Sequence, residues 1–153
     1  MSGSVLQFDL TGTGTGVLQQ IQVGDGPHTI TAEGHPAFGG RDSAPSPLDY
    51  ALGALASCTQ VTGQIIAAGN KQIQLGNWDI KLESHLDNSV LVFGQQGTSN
   101  FRDATLDITV ETNLDEQAFQ GFATEVERRC PITTLFRGSG VDYTTSWTNV
   151  PLS

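Results

Sequence analysis

The chain has 153 residues, 37% apolar and 15% charged, with 16 acidic against 7 basic side chains and a formal net charge of −9. That length and apolar content suit one soluble globular domain over 1–153 with its own core. The acidic balance argues against nucleic acid and against an anionic membrane surface, both of which need clustered Lys and Arg.

In chain order, the start MSGSVLQFDL carries no basic stretch followed by an apolar one. No signal peptide is expected, and a cytoplasmic location is the default. Val5 to Leu10 reads as a strand. Thr11 to Gly16, TGTGTG, reads as a Gly-rich turn; it lacks a following GK[ST] and a helix, so it is a hairpin tip rather than a phosphate cradle. Val17 to Val23 and His28 to Ala32 give two further strands, separated by the turn Gly24-Asp25-Gly26-Pro27.

Glu33 to Ser46 is an irregular loop holding His35, Phe38, Gly39, Gly40 and Arg41. After it comes the longest apolar segment, Tyr50 to Ala68, read as a helix. Ser46 suits the N-cap, Pro47 the first turn, and Asp49 the positive helix start. With apolar or small residues on nearly every side, this helix is expected to be buried all round, as the central pillar of the fold. Ser57, Cys58, Thr59, Gln60, Thr62, Gly63 and Gln64 interrupt it too often for a membrane span.

Trp78 to Leu86 alternates apolar and polar residues as a strand with one wet face. Val90 to Phe93 reads as a short apolar strand, and Ala104 to Thr112 alternates cleanly through Leu106, Ile108 and Val110. Asn113 then caps a second helix, whose stripe through Phe119, Phe122 and Val126 leads to Cys130. Pro131 ends that helix. Thr133 to Gly140 reads as a loop or short turn and Val141 to Asn149 as a last strand. No linker or repeat divides the chain. Runs of strands around two helices predict an α+β domain, its sheet wrapped round the first helix.

The only two cysteines, Cys58 and Cys130, are too few for a closed zinc site, and His28, His35 and His85 show no ligand spacing around them. No metal is expected. The pair is either two inert core thiols or a redox couple. Ionising a thiol on a neutral apolar helix requires cationic help. Arg41 is the favoured candidate because it lies on the loop entering the Cys58 helix; Arg102, Arg128 and Arg129 are the others.

Two blocks carry a resemblance. Gly39-Gly40 followed by PSPLDYALGALASCT, and the helix end ERRCPITTL, are similar to the paired signatures of the OsmC/Ohr family of osmotically inducible and organic hydroperoxide resistance proteins. The match is closer to the general OsmC-like branch than to true Ohr. Where the best-studied peroxidases of the family place an Arg after the first strand, Thr11 to Gln20 contains no Arg or Lys. Leu48 stands where they carry a Glu, with Asp49 one place later.

The resemblance implies an α+β fold of antiparallel sheets around a long buried central helix, with two chains intertwined as a homodimer. It implies a thiol-dependent peroxidase acting on small organic, and also inorganic, hydroperoxides. Cys58 would attack, Cys130 would resolve the sulfenic acid as a disulfide, and an external dithiol would reduce it, without metal or flavin. Arg41 and Asp49 would form the supporting pair. The alternative is a catalytically weak or inactive dimer of the same fold that binds a small apolar ligand in its interface pocket.

Overall fold

The computed structural model describes residues 3–153. The chain separates into two compact units, Met1–Ala51 and Leu52–Ser153.

The first unit holds a three-stranded antiparallel sheet of β1 (Leu10–Thr15), β2 (Leu18–Val23) and β3 (Thr29–Glu33). The TGTGTG segment is itself most of β1, paired with β2 in a hairpin that closes Thr15 on Leu18. The turn is Gly16-Val17, where Gly16 takes φ 65°, a value that glycine adopts without steric cost. Residues 5–9, expected to begin the first strand, lie outside any regular element. In the loop that follows, Gly40 is required by close approach, because a Cβ there would collide with the carbonyl oxygen of Gly34.

Helix α1 (Pro47–Ala68) begins in this unit and runs on into the second. Its start is a reciprocal capping box. The Asp49 amide donates to Ser46 Oγ at 3.1 Å, and the Ser46 amide and hydroxyl donate to Asp49 Oδ2 at 2.9 and 2.7 Å. The Ser46 hydroxyl and then its amide hold the Asp49 carboxyl below its usual range. Ser46→Ala is expected to cost about 1 kcal/mol of stability, read as a lower urea midpoint at unchanged slope.

In the second unit a mixed sheet has the order β4 (Leu75–Leu86), β5 (Phe101–Thr112), β6 (Asp142–Pro151). The β4–β5 pair is antiparallel, as expected, but β6 runs parallel to β5, with Ile108 opposite Trp147. A parallel return needs a long crossover. It is supplied by α3 (Glu116–Arg129) and α4 (Pro131–Gly138). Asp115, not Asn113, caps α3, accepting from the Ala118 amide at 2.8 Å. Asn113 instead ties the chain to Gln72 and Gln74. The segment read as a short strand at Val90 to Phe93 is a five-residue helix, α2 (Ser89–Phe93).

The core of this unit joins Ala104, Leu106, Ile108 and Val110 of β5 to Phe119, Phe122 and Val126 of α3, with Leu55 and Ile66 of α1. Trp78 and Trp147 complete an aromatic cluster with the two phenylalanines, ring centroids 6.1–6.4 Å apart. Gly63 is required here as well, since a Cβ at that position would strike the Trp78 ring.

Contrary to the expectation of all-round burial, α1 buries one stripe, Leu55, Thr59, Thr62, Gly63 and Ile66. Val61 and Ile65 are more than half exposed in the single chain. By length and mean hydropathy the helix also meets the measure of a membrane span, despite its polar interruptions. Its buried stripe lies in the core just described, which is how the central helix of a globular domain meets the same measure.

Candidate functional site

Cys58 lies in the middle of α1 and Cys130 at the junction of α3 and α4, 72 residues apart in the chain. The stripe of α3 that buries Phe119, Phe122 and Val126 extends to Cys130, which has no exposed surface. Pro131 removes an amide that would continue α3, yet it sits at the first position of α4, where no amide is needed. Cys130 is therefore both the last cap of one helix and the N-cap of the next, with extended backbone (φ −73°, ψ 115°). Its amide donates to Val126 O at 2.9 Å. Its sulfur accepts from the Thr133 amide at 3.4 Å.

Cys58, half-buried on α1, meets this junction from the other side. The two sulfurs lie close enough for each to influence the ionisation of the other. The Ile132 amide, beside the Thr133 amide in the first turn of α4, acts to lower the Cys58 thiol. Thr62, one turn after Cys58, holds its Oγ1 4.0 Å from the Cys58 sulfur and also reaches Cys130.

The two thiols are driven in opposite directions. Burial, and then the bond to Cys130, push the Cys58 thiol up, and the Ile132 amide and Thr62 hydroxyl offset this only partly. Burial opposes charge on Cys130 too, but the Thr133 hydroxyl and amide, the Cys58 thiol and Thr62 outweigh it and bring Cys130 below the ordinary thiol range. Tyr143 of β6 closes the cluster. Its phenol is pushed up, first by burial, while its contact with Thr133 works the other way. The Arg137 guanidinium lies 4.8 Å above the Tyr143 ring and binds Glu127 at 3.1 Å.

A family model described as OsmC-like protein matches residues 40–146, which hold both cysteines and their helices. The chain belongs to the OsmC-like family. Its fold agrees with that of an OsmC-like protein from Mycoplasma pneumoniae (TM-score 0.78, 19% identity, 95% of this chain and 98% of the other). It is also similar to an organic hydroperoxide resistance protein OsmC from Legionella pneumophila (TM-score 0.70, 16% identity, 95% and 99%). The organic hydroperoxide resistance protein OhrB of Bacillus subtilis is a more distant likeness (TM-score 0.62, 19% identity, 95% and 100%). No curated protein matches the sequence.

Of the residues singled out from sequence, this OsmC-like chain brings Cys58 and Cys130 together. Asp49 belongs to the first unit, where its carboxylate is taken up by Ser46. Arg41 lies in the same unit, in a groove of about 590 Å³ lined also by Val17, Leu18, Glu33 and Ser43. Arg128 is held by Glu125 at 2.7 and 2.8 Å. His35 caps the short turn Pro36–Phe38, accepting from the Ala37 amide at 3.1 Å. Among the described residues no cluster of three or more His, Cys, Asp or Glu has the form of a metal site.

Sequence reading missed Thr62, Thr133, Tyr143 and the first amides of α4. Two of these were signalled by spacing. Thr62 follows Cys58 by four residues, hence on the same helical face. Thr133 follows Cys130 by three, the N-cap to N3 interval.

Proposed function

We propose that this protein is a cytoplasmic thiol peroxidase that reduces small hydroperoxides through a two-cysteine cycle. The observation that carries the reading is the proximity of Cys58 and Cys130, two thiols remote in sequence that meet where α1 passes the α3–α4 junction, one half-buried and one buried. Cys58 is the more accessible sulfur and takes the attacking role. As the thiolate it attacks one peroxide oxygen; the O–O bond breaks, the alcohol leaves with a proton, and Cys58 becomes a sulfenic acid. Cys130 then attacks the Cys58 sulfur, the S–S bond forms and water leaves. An external dithiol reduces the disulfide and is itself oxidised, so that neither metal nor flavin is needed. Relatives of similar fold named for hydroperoxide resistance support the same reading.

The working form is a homodimer. Val61 and Ile65 follow Cys58 by three and seven residues on one face of α1, and both stand exposed in the single chain. A second chain seated on that face would bury them and wall the approach to Cys58. Arg41 and Asp49 are assigned supporting roles at the assembled site.

The test is consumption of an organic hydroperoxide with a dithiol reductant, comparing the unaltered chain with Cys58→Ser. Consumption that disappears in the variant is expected; equal rates in the two would end the proposal. The alternative, a dimer holding an apolar ligand, is favoured instead if Cys58 resists alkylation at neutral pH and a ligand copurifies.

A further inference from the structure

We infer that the Thr62 hydroxyl is a working part of the redox site: it donates a hydrogen bond to the Cys58 sulfur and so favours the thiolate that attacks. This role rests on the two-cysteine cycle proposed above and adds to it a donor from the helix of Cys58 itself.

The carrying observation is where the hydroxyl points. A threonine inside a helix commonly turns its hydroxyl to the carbonyl one turn back. Thr59 does so in α1, donating to Leu55 O at 2.8 Å. Thr124 and Thr134 do the same, to Gln120 O at 3.0 Å and Cys130 O at 3.2 Å. Thr62 does not. The carbonyl one turn back belongs to Cys58, yet the Thr62 hydroxyl faces the Cys58 side chain, with Oγ1 4.0 Å from the sulfur. Among the described residues that sulfur is its only hydrogen-bond partner.

Thr62 is 5% exposed, so its hydroxyl has little water to turn to instead. A buried hydroxyl without a good partner is destabilising. A thiol is a weak acceptor, and at 4.0 Å a distant one. A thiolate is a charged acceptor, whose hydrogen bonds are shorter and about twice as strong. The Thr62 hydroxyl therefore gains when Cys58 loses its proton. A bond that is loose in the resting thiol and tight in the reacting anion is the kind that speeds a reaction rather than merely binding.

The charged and titratable groups around Cys58 leave room for this donor. On α1 no Asp, Glu, Lys, Arg or His follows Asp49, nine residues before Cys58. The α3–α4 junction presents Cys130, and β6 presents Tyr143 beside Thr133. Glu127 is engaged by Thr145, Trp147 and Arg137. Arg128 and Arg129 are paired with Glu125. Within its own unit, the support for an anion on Cys58 comes from neutral donors, and Thr62 supplies the side chain among them.

The test is alkylation of the reduced full-length chain by iodoacetamide across a range of pH. The rate at Cys58 is read from its own peptide, so that Cys130 does not contribute. Thr62→Val keeps the shape and removes the hydroxyl. It is expected to move the midpoint of the pH profile up by about one pH unit, a tenfold loss of thiolate at neutral pH, with no lower rate on the alkaline plateau. Thr62→Ala is expected to repeat the shift and Thr62→Ser to restore the profile. Thr59→Val, which loses a hydroxyl bonded to backbone, is expected to leave the midpoint in place. A change of packing alone would alter access to Cys58, and hence the rate at every pH, without moving the midpoint. An unmoved midpoint in Thr62→Val and Thr62→Ala, or an equal shift in Thr59→Val, overturns the inference. Alkylation needs no hydroperoxide, so a shifted midpoint in a chain that consumes none upholds the Thr62 bond and refutes the peroxidase alone.

Discussion

Cys58→Ser and Cys130→Ser are expected to fail in different ways when mixed with an organic hydroperoxide. Cys58→Ser removes the only sulfur of the pair with exposed surface. Its consumption of peroxide is expected to fall to the uncatalysed background. Cys130→Ser keeps the attacking sulfur but loses the resolving thiol. It is expected to react once and then stop. Without a partner, the Cys58 sulfenic acid proceeds to the sulfinic acid under excess peroxide. Mass spectrometry of the intact chain distinguishes the cases: no added oxygen on Cys58→Ser, and two added oxygens at Cys58 in Cys130→Ser. Sustained turnover by Cys130→Ser would show that Cys58 is resolved by some other thiol.

The largest effect on stability is expected at Phe119. Its side chain is fully buried, with ring centroids 6.3 Å from Phe122 and 6.2 Å from Trp147. Phe119→Ala removes a whole ring from a core shared with β5, Phe122 and Trp147, which leaves little freedom to collapse into the space. A loss of about 3–5 kcal/mol is expected, against less than about 0.5 kcal/mol for the exposed neighbour Gln117→Ala. Urea unfolding reads both, with the slope unchanged if only the native state is affected. The redox site depends on this packing, because the same face of α3 that carries Phe119, Phe122 and Val126 delivers Cys130 to its cap position.

Much of this was legible before any coordinates. The Ser46-Pro47-Asp49 start of α1, the alternation of β4 and β5, and the apolar stripe of α3 all follow from short-range rules that the tertiary structure obeys. Other elements are decided by neighbours. Ser89 to Phe93 is an apolar run too short for periodicity to tell helix from strand. Thr11 to Thr15 looks like a turn by composition, yet exposed pairing with β2 makes it a strand. Pro131 was read as a stop, but proline at a first helical position starts a helix as readily as it ends one. That one residue hid α4, and with it the donors on Cys130. The parallel course of β6 has no local signature, since its side chains alternate as in an antiparallel strand.

At the site, the two cysteines were recognisable from their motifs, whereas the electrostatics between them were not. A sequence read for guanidinium groups finds Arg41 and misses dipoles. The Thr133 amide and the Thr62 hydroxyl meet the two sulfurs, groups that acquire meaning only where α4 packs beside α1.

The central claim is that Cys58 and Cys130 of one chain form a single redox unit. It is tested most directly by adding one equivalent of organic hydroperoxide to the reduced protein, alkylating any remaining thiol, and mapping the peptides by mass spectrometry without reduction. The account predicts one intrachain Cys58–Cys130 disulfide, two hydrogens lighter than the reduced chain, with no alkylatable thiol left. Two free thiols, a disulfide between chains, or a Cys58 sulfinic acid beside an alkylated Cys130 would contradict it.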